Sequence, residues 1–298
     1  MTTVKKYLSL VKFSHTIFAM PFAMIGLVLG LMTEDMAGRT ASKPWWLTFI
    51  LVVLCMVFAR SAAMAFNRWL DAKFDALNPR TAIREIPAGI LKADSVLLFT
   101  ISCSLLFILC TWFINPICFF LSPIALFVVL GYSYTKRFTP LCHLILGLGL
   151  SLAPIGAYLA VTGEFALLPI FFSVSVICWV SGFDIIYALQ DEAFDKANKL
   201  YSIPAALGAA KALRVSELLH VISAACVIAA GVYGHFHWLY WIGVGVFAGM
   251  LLYQHSIVKP NDLRRVNLAF MTANGIASVV FAVFVIADMF VQAAITHQ

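Results

Sequence analysis

The sequence predicts an all-α, polytopic membrane helical bundle of about nine transmembrane helices, and three observations carry that reading. Of the 298 residues, 62% are apolar and only 11% charged, with a mean hydropathy of +0.96. A soluble chain of that length needs far more polar side chains to cover its surface. Apolar runs recur along the whole chain, each long enough to cross a hydrocarbon core about 30 Å thick. The basic residues are distributed unevenly over the segments between those runs. Repeated ten-residue alternating strands are absent from the sequence, which argues against a barrel, the other structure that can span a bilayer.

The spans fall near 16–32, 47–66, 95–113, 117–133, 141–162, 166–188, 215–235, 237–254 and 267–292. Lys5, Lys6 and Lys12 precede the first, in the manner of a secretory signal. The run that follows is too long for one and lacks a small-x-small cleavage site, so it reads as an uncleaved span. Asn115-Pro116 and His235-Phe236-His237 are the only residues between neighbouring spans, and links that short imply antiparallel helices. Gly26-x-x-x-Gly30 and Gly245-x-x-x-Gly249 permit close helix packing. No linker or low-complexity segment interrupts the pattern, so residues 1–298 read as a single domain.

With nine crossings, the N-terminus and the loops after the second, fourth, sixth and eighth spans lie on one side and hold 17 of the 20 Lys and Arg residues. Such asymmetry places that side in the cytoplasm. The net charge of +6 therefore reports topology and does not call for nucleic acid as a partner. The seven cysteines lie in or beside apolar runs with no Cys-x-x-Cys pair, which points to small buried hydrophobes, not a zinc site or disulfide framework.

Two acidic patterns end spans on that same side. The first, Asn67-x-x-x-Asp71-x-x-x-Asp75, closes the second span. Positions four apart on a helix differ by only about 40° of rotation, so the three side chains share a face. Oxygen ligands so arranged suit magnesium, which takes one or two carboxylates, several waters and substrate phosphates. The second, Asp184-x-x-Tyr187-x-x-x-Asp191-x-x-x-Asp195, closes the sixth span. On an ideal helix its last three members lie at about −60°, −20° and +20° from Asp184. Single loop carboxylates are usually only solvated. Here they continue apolar spans, where a carboxylate at the bilayer centre costs roughly 2.5–3.5 kcal/mol, and several on one stripe repel one another. A bound divalent cation offsets both costs.

Basic residues accompany the acids. Arg80 and Arg84 follow the first pattern and Lys136-Arg137 ends the fourth span. They suit a diphosphate, whose charge exceeds what one or two metals neutralise. Lys136 and Arg137 also fit a plain positive-inside anchor, and both readings stand.

These motifs resemble those of the UbiA superfamily of intramembrane prenyltransferases. NRWLDAKFDALNPRTAIREIPAG resembles the first motif of its 4-hydroxybenzoate polyprenyltransferase branch, FDIIYALQDEAFDKANKLYSIPAALG the second, and YSYTKRFT the basic motif between them. The resemblance implies a helical bundle around a central cavity, open to the cytoplasm and to lipid. It implies that Asn67, Asp71, Asp75, Asp191 and Asp195 hold Mg²⁺, the four aspartates being the catalytic acids. Arg84, Lys136 and Arg137 are then expected to contact a polyprenyl diphosphate, with Arg80, Asp184 and Tyr187 as further substrate-binding residues. The acceptor it implies is an aromatic acid, in quinone biosynthesis at the inner membrane of a bacterium, among lipids. Lys12-Phe13-Ser14-His15-Thr16 departs from the Arg-x-Asp-Lys-Pro-like stretch of ubiquinone-type members. The pair Ser14-His15 followed by FAMPFA looks more like the futalosine-route menaquinone enzymes, whose acceptor is a dihydroxynaphthoate. His15 is then either an acceptor contact or a membrane-interface histidine. An ion-coupled secondary transporter is the alternative from another class, since intramembrane acids also mark ion pathways. The acids lie at span ends, which favours the enzyme.

Overall fold

A computed structural model describes residues 3–11, 18–38 and 43–296. Lys12, Ser14, His15 and Arg39 lie outside the described residues. The described residues form helices joined by turns: α1 (Thr3–Val11), α2 (Met20–Met36), α3 (Trp45–Leu70), α4 (Ala72–Leu77), α5 (Ala93–Ile114), α6 (Pro116–Thr135), α7 (Cys142–Thr162), α8 (Leu167–Ala188), α9 (Glu192–Ala197), α10 (Ile203–Leu207), α11 (Ala209–Tyr233), α12 (Trp238–Ile257) and α13 (Asn274–Thr296). Each predicted span corresponds to a helix. Seven helices among the described residues are long and apolar enough to cross a membrane. The other two predicted spans are α2, with 17 residues, and α12, whose sequence ends in the polar Gln254-His255-Ser256.

Local chemistry sets the boundaries. Asn115 is extended and accepts the Cys118 N–H at 2.9 Å, with Pro116 in the first turn, so α5 stops and α6 starts across one residue. Its amide also donates to the Leu159 carbonyl of α7 at 2.7 Å, tying three helices at that end. Gly163, at φ 67°, ends α7 in the left-handed conformation glycine adopts without strain. Asp288, fully buried in α13, accepts the N–H groups of His237 and Tyr240 and so caps α12 from a neighbouring helix.

The bundle packs through α7–α8, α8–α11, α3–α5, α2–α7 and α12–α13. Its core is aromatic, with Phe22, Trp179, Phe247 and Phe281 in mutual tilted and edge contacts. Trp179 and Gln254 both donate to Asn274 Oδ1 at 2.8 Å, so one buried amide oxygen serves two buried donors, while Gln254 Oε1 has no hydrogen-bond partner. The Asn274 amide donates back to the Ala269 and Phe270 carbonyls, at the end of a π-helical turn (Leu268–Ala273). The amphipathic α1 packs on α3 through fully buried Leu10 against Ala65 and Val96.

The two glycine motifs behave differently. Gly26 and Gly30 lie against α7, where a Cβ on Gly26 would overlap the Pro154 carbonyl and one on Gly30 would sit 2.9 Å from Val161 Cβ. Around Gly245 and Gly249 there is nothing within 4 Å, and both are exposed. The packing glycine of α12 is Gly243, which meets Phe284 and Phe281 of α13. The Gly245 and Gly249 face is turned from α13, so spacing alone misassigned it. Gly26→Leu is therefore expected to cost about 1–3 kcal/mol through overpacking, and Gly245→Leu to stay within about 0.5 kcal/mol of the parent. Thermal unfolding in detergent micelles checks both, and equal melting of the two variants would refute the α2–α7 contact.

Candidate active site

All of the predicted site residues that the structure describes line one cavity of about 850 Å³ at the end of the bundle where α3, α6 and α8 terminate. His15 lies outside the described residues. Neither acidic motif is one uninterrupted helix. α3 ends at Leu70, Asp71 takes φ −92° and ψ 5°, and α4 resumes at Ala72. The Asp71 N–H still bonds Asn67 O at 2.9 Å and the Asp75 N–H bonds Asp71 O at 2.8 Å, so the shared face survives the joint. In the second motif, α8 gives way to a 3₁₀ turn at Leu189–Asp191 before α9. Asp184, Tyr187, Asp191 and Asp195 all still border the cavity.

The acids of the two motifs pair with the basic residues singled out with them. Asp71 Oδ1 lies 2.9 Å from Arg137 Nη2, and Asn67 Nδ2 donates to Asp71 Oδ2 at 3.0 Å. The Arg137 guanidinium also donates to the Leu70 and Ser133 carbonyls and stacks over Phe74 and Tyr134. Buried Asp75 meets Arg84 at 2.6 Å through Oδ1, while its Oδ2 has no hydrogen-bond partner. Asp191 receives a two-pronged contact from Arg80 and the Asn78 amide at 3.1 Å. Arg80 Nη1 also donates to the Tyr187 hydroxyl at 3.0 Å. Fully buried Asp195 lies 2.8 Å from Lys136 Nζ and accepts from Ser202 Oγ at 3.0 Å. The same Ser202 oxygen caps α10 by accepting the Ala205 N–H.

Position explains the titration of the groups outside the spans. Burial opposes charge on Lys136, but Asp195 outweighs it and holds the ammonium above its ordinary value. Arg80 is raised in the same manner, burial being overcome by Asp191. Burial pushes the Asp71 carboxyl up, and Arg137 counteracts it only in part. An acid so placed gains from a second cation.

The predicted metal set of Asn67, Asp71, Asp75, Asp191 and Asp195 is not gathered at one point. Among the described residues, no three His, Cys, Asp or Glu side chains stand close enough to hold a metal ion. The reason is electrostatic: each aspartate takes the nearest guanidinium or ammonium. The donor chemistry still fits magnesium, since these are hard oxygen ligands and Asp75 keeps a buried carboxylate oxygen without a donor.

Several lining residues escaped sequence reasoning. Asn78 and Glu85 sit inside the motif stretch, yet nothing in the spacing marked them. Glu85 Oε1 accepts from Ser9 Oγ of α1 at 2.6 Å, and its Oε2 is buried without a partner. Arg68 is 6% exposed, its Nε also lacking a hydrogen-bond partner. His143, at the start of an apolar run, carries no signal in the sequence; its Nδ1 lies 2.6 Å from Asp184 Oδ2.

The architecture defines a class: a polytopic membrane protein with paired acids and bases lining one chamber at a single end of the bundle. The chain belongs to the UbiA prenyltransferase family, whose sequence profile matches residues 19–285. It is accordingly a prenyltransferase, and the transporter reading is set aside. The 4-hydroxybenzoate octaprenyltransferase of Nitrosospira multiformis is 29% identical over 245 residues, covering 82% of this chain and 84% of that protein. The one from Francisella tularensis subsp. mediasiatica is 27% identical over 237 residues, covering 80% and 83%. Among solved structures, the apo UbiA homolog from Aeropyrum pernix K1 superposes with a TM-score of 0.78 at 28% identity, over 94% of this chain and 98% of that one. A UbiA homolog from Archaeoglobus fulgidus bound to DMAPP and Mg²⁺ gives 0.71 at 19% identity, over 96% and 99%, a likeness of fold alone.

Arg80 uses three nitrogens in a fixed plane, which lysine cannot reproduce. Arg80→Lys keeps the charge, and initial-rate assays are expected to show prenyl transfer lowered at least about tenfold, equivalent to ~1.4 kcal/mol.

Proposed function

We propose that the chain transfers a polyprenyl group from polyprenyl diphosphate to a hydroxylated aromatic acid, with Mg²⁺, as a step of quinone biosynthesis. The observation that carries this reading is the convergence of both acidic motifs on Arg80, Arg84, Lys136 and Arg137 in one cavity. Each of those four basic side chains keeps between 22% and 33% exposure, so its pair with an aspartate is open to exchange. Arg84, Lys136 and Arg137 bind diphosphate oxygens, and Arg80 holds Tyr187 and Asp191 in place. Asn67, Asp71, Asp75, Asp191 and Asp195 are the residues that hold magnesium, which when bound supplies positive charge to the leaving diphosphate.

The leaving of diphosphate creates an allylic cation, and an electron-rich ring carbon attacks it. Leu146, Leu150 and Val180 line the cavity between α7 and α8 with apolar surface, suited to the prenyl tail and to excluding water from the cation. The motif-bearing end faces the cytoplasm in this proposal, in a bacterial inner membrane, in keeping with the distribution of Lys and Arg.

Two acceptors fit. The names of the curated relatives favour 4-hydroxybenzoate. The departure at Lys12-Phe13-Ser14-His15-Thr16 favours a 1,4-dihydroxy-6-naphthoate type. Purified protein with Mg²⁺, labelled prenyl diphosphate and both acceptors is expected to prenylate one of them, read by mass spectrometry of the products. Asp71→Ala and Asp191→Ala are expected to lose transfer by about 10²-fold or more while still inserting, and EDTA to abolish it. Undiminished activity in either variant, or in EDTA, would sink the proposal.

A further inference from the structure

Asp184 stands apart from the other aspartates of the site. Asp71, Asp75, Asp191 and Asp195 each contact a guanidinium or an ammonium, groups that stay protonated. Asp184 contacts an imidazole, His143, through Oδ2 at 2.6 Å.

The surroundings hold this pair in one arrangement. The Ile203 N–H donates to His143 Nε2 at 3.4 Å, which leaves Nδ1 as the nitrogen that carries the proton toward Asp184. Ser181 Oγ donates to the His143 carbonyl at 3.1 Å, and Gly147, one turn further along α7, brings the backbone against Ile177 of α8. His143 is 2% exposed. Asp184 is not sealed in with it: the carboxylate keeps 23% exposure and borders the cavity.

Depth separates this pair from the phosphate-binding end. Asp184 precedes Asp191 by seven positions, about 10 Å along a helix axis. Apolar lining near Asp184 comes from Val180, one turn before it on α8, from the adjacent Phe183, and from Leu146, one turn after His143 on α7. Below a diphosphate held at the mouth, that is the depth of the first prenyl carbons and of the ring that attacks them.

We propose that Asp184 takes the proton released from the substituted ring carbon, and that His143 is the positioning residue that orients this carboxylate through its hydrogen bond. The proposal rests on the prenyl-transfer reading above and names the proton acceptor which that reading leaves open. The electrons balance without a further reactant. A ring electron pair forms the bond to the first prenyl carbon, and the electrons of the broken C–O bond leave with diphosphate. The C–H pair of the ring cation then restores aromaticity, and its proton passes to the Asp184 carboxylate. Asp184 so placed removes the proton from the ring carbon that carries the new bond, a transfer to which a fixed base contributes about 10²- to 10⁴-fold.

The test uses full-length protein in detergent, Mg²⁺, labelled prenyl diphosphate, and whichever of the two acceptors is turned over, with hydrogen or deuterium at the substituted ring carbon. The parent is expected to show an isotope effect on kcat close to unity, C–O cleavage being slower than proton loss. His143→Ala and Asp184→Asn are expected to lower kcat at least about tenfold, with KM for the prenyl diphosphate within about twofold of the parent. Their isotope effect is expected to rise to about two or more, because proton removal becomes limiting. His143→Gln keeps a hydrogen-bond donor beside Asp184 and is expected to recover part of the rate, which also covers the case in which His143→Ala fails to fold. A drop in kcat with the isotope effect still at unity, or no drop in His143→Gln and Asp184→Asn, overturns the dyad alone. If the parent prenylates neither acceptor, the prenyl-transfer reading itself falls and the dyad with it.

Discussion

Mutual neutralisation of carboxylates and cations at one end of the bundle is the constraint on which the rest of the site depends. A lone ionised group taken out of water carries a penalty of several kcal/mol, and attraction to a partner repays it only at close range with hydrogen bonds in place. Here the acids come from helix ends and the bases from the loop that follows α4 and from the end of α6. Joining them fixes where α3, α6 and α8 stop relative to one another. The ion pairs are thus the lock that organises this end of the molecule and, in the function proposed above, the groups with which the ligand exchanges.

The balance of charge around the chamber follows from the same pairing. Six carboxylates border it, from Asp71, Asp75, Glu85, Asp184, Asp191 and Asp195, and six cations, from Arg60, Arg68, Arg80, Arg84, Lys136 and Arg137. A lining of that kind gives no strong field of either sign to a bare anion. It rewards a ligand that brings positive and negative groups together, since one such ligand satisfies both halves of every opened pair. A metal–diphosphate complex has that property.

Much of this was legible in the sequence, for reasons particular to the residues. Spans were legible because lipid demands long apolar helices with internally satisfied backbones. The four-residue spacing of Asn67, Asp71 and Asp75 gave a shared face, and that face persists although the helix breaks at Asp71. What could not be read were groups whose meaning depends on a distant partner. His143 became significant only through Asp184, 41 residues away, and Asn78 only through Asp191, 113 residues away. Gly245 and Gly249 failed for the converse reason. Their spacing is local, while the choice of packed face is made by α13, which instead presses Phe284 and Phe281 onto Gly243.

The π-helical turn before Asn274 has a geometric consequence for the whole last helix. Its wider winding holds one residue more than an α-helical path of the same length, so residues on its two sides are offset by about 100° from simple continuation. Before and within the turn, Asn267, Phe270 and Met271 border the chamber, and Phe270 lies over Tyr187 at 4.3 Å between ring centroids. Downstream, Phe281, Val285 and Asp288 turn to the aromatic core and to the cap of α12. The phase slip lets one transmembrane rod serve two masters, one stretch forming a wall of the chamber and the next forming a seam of the bundle.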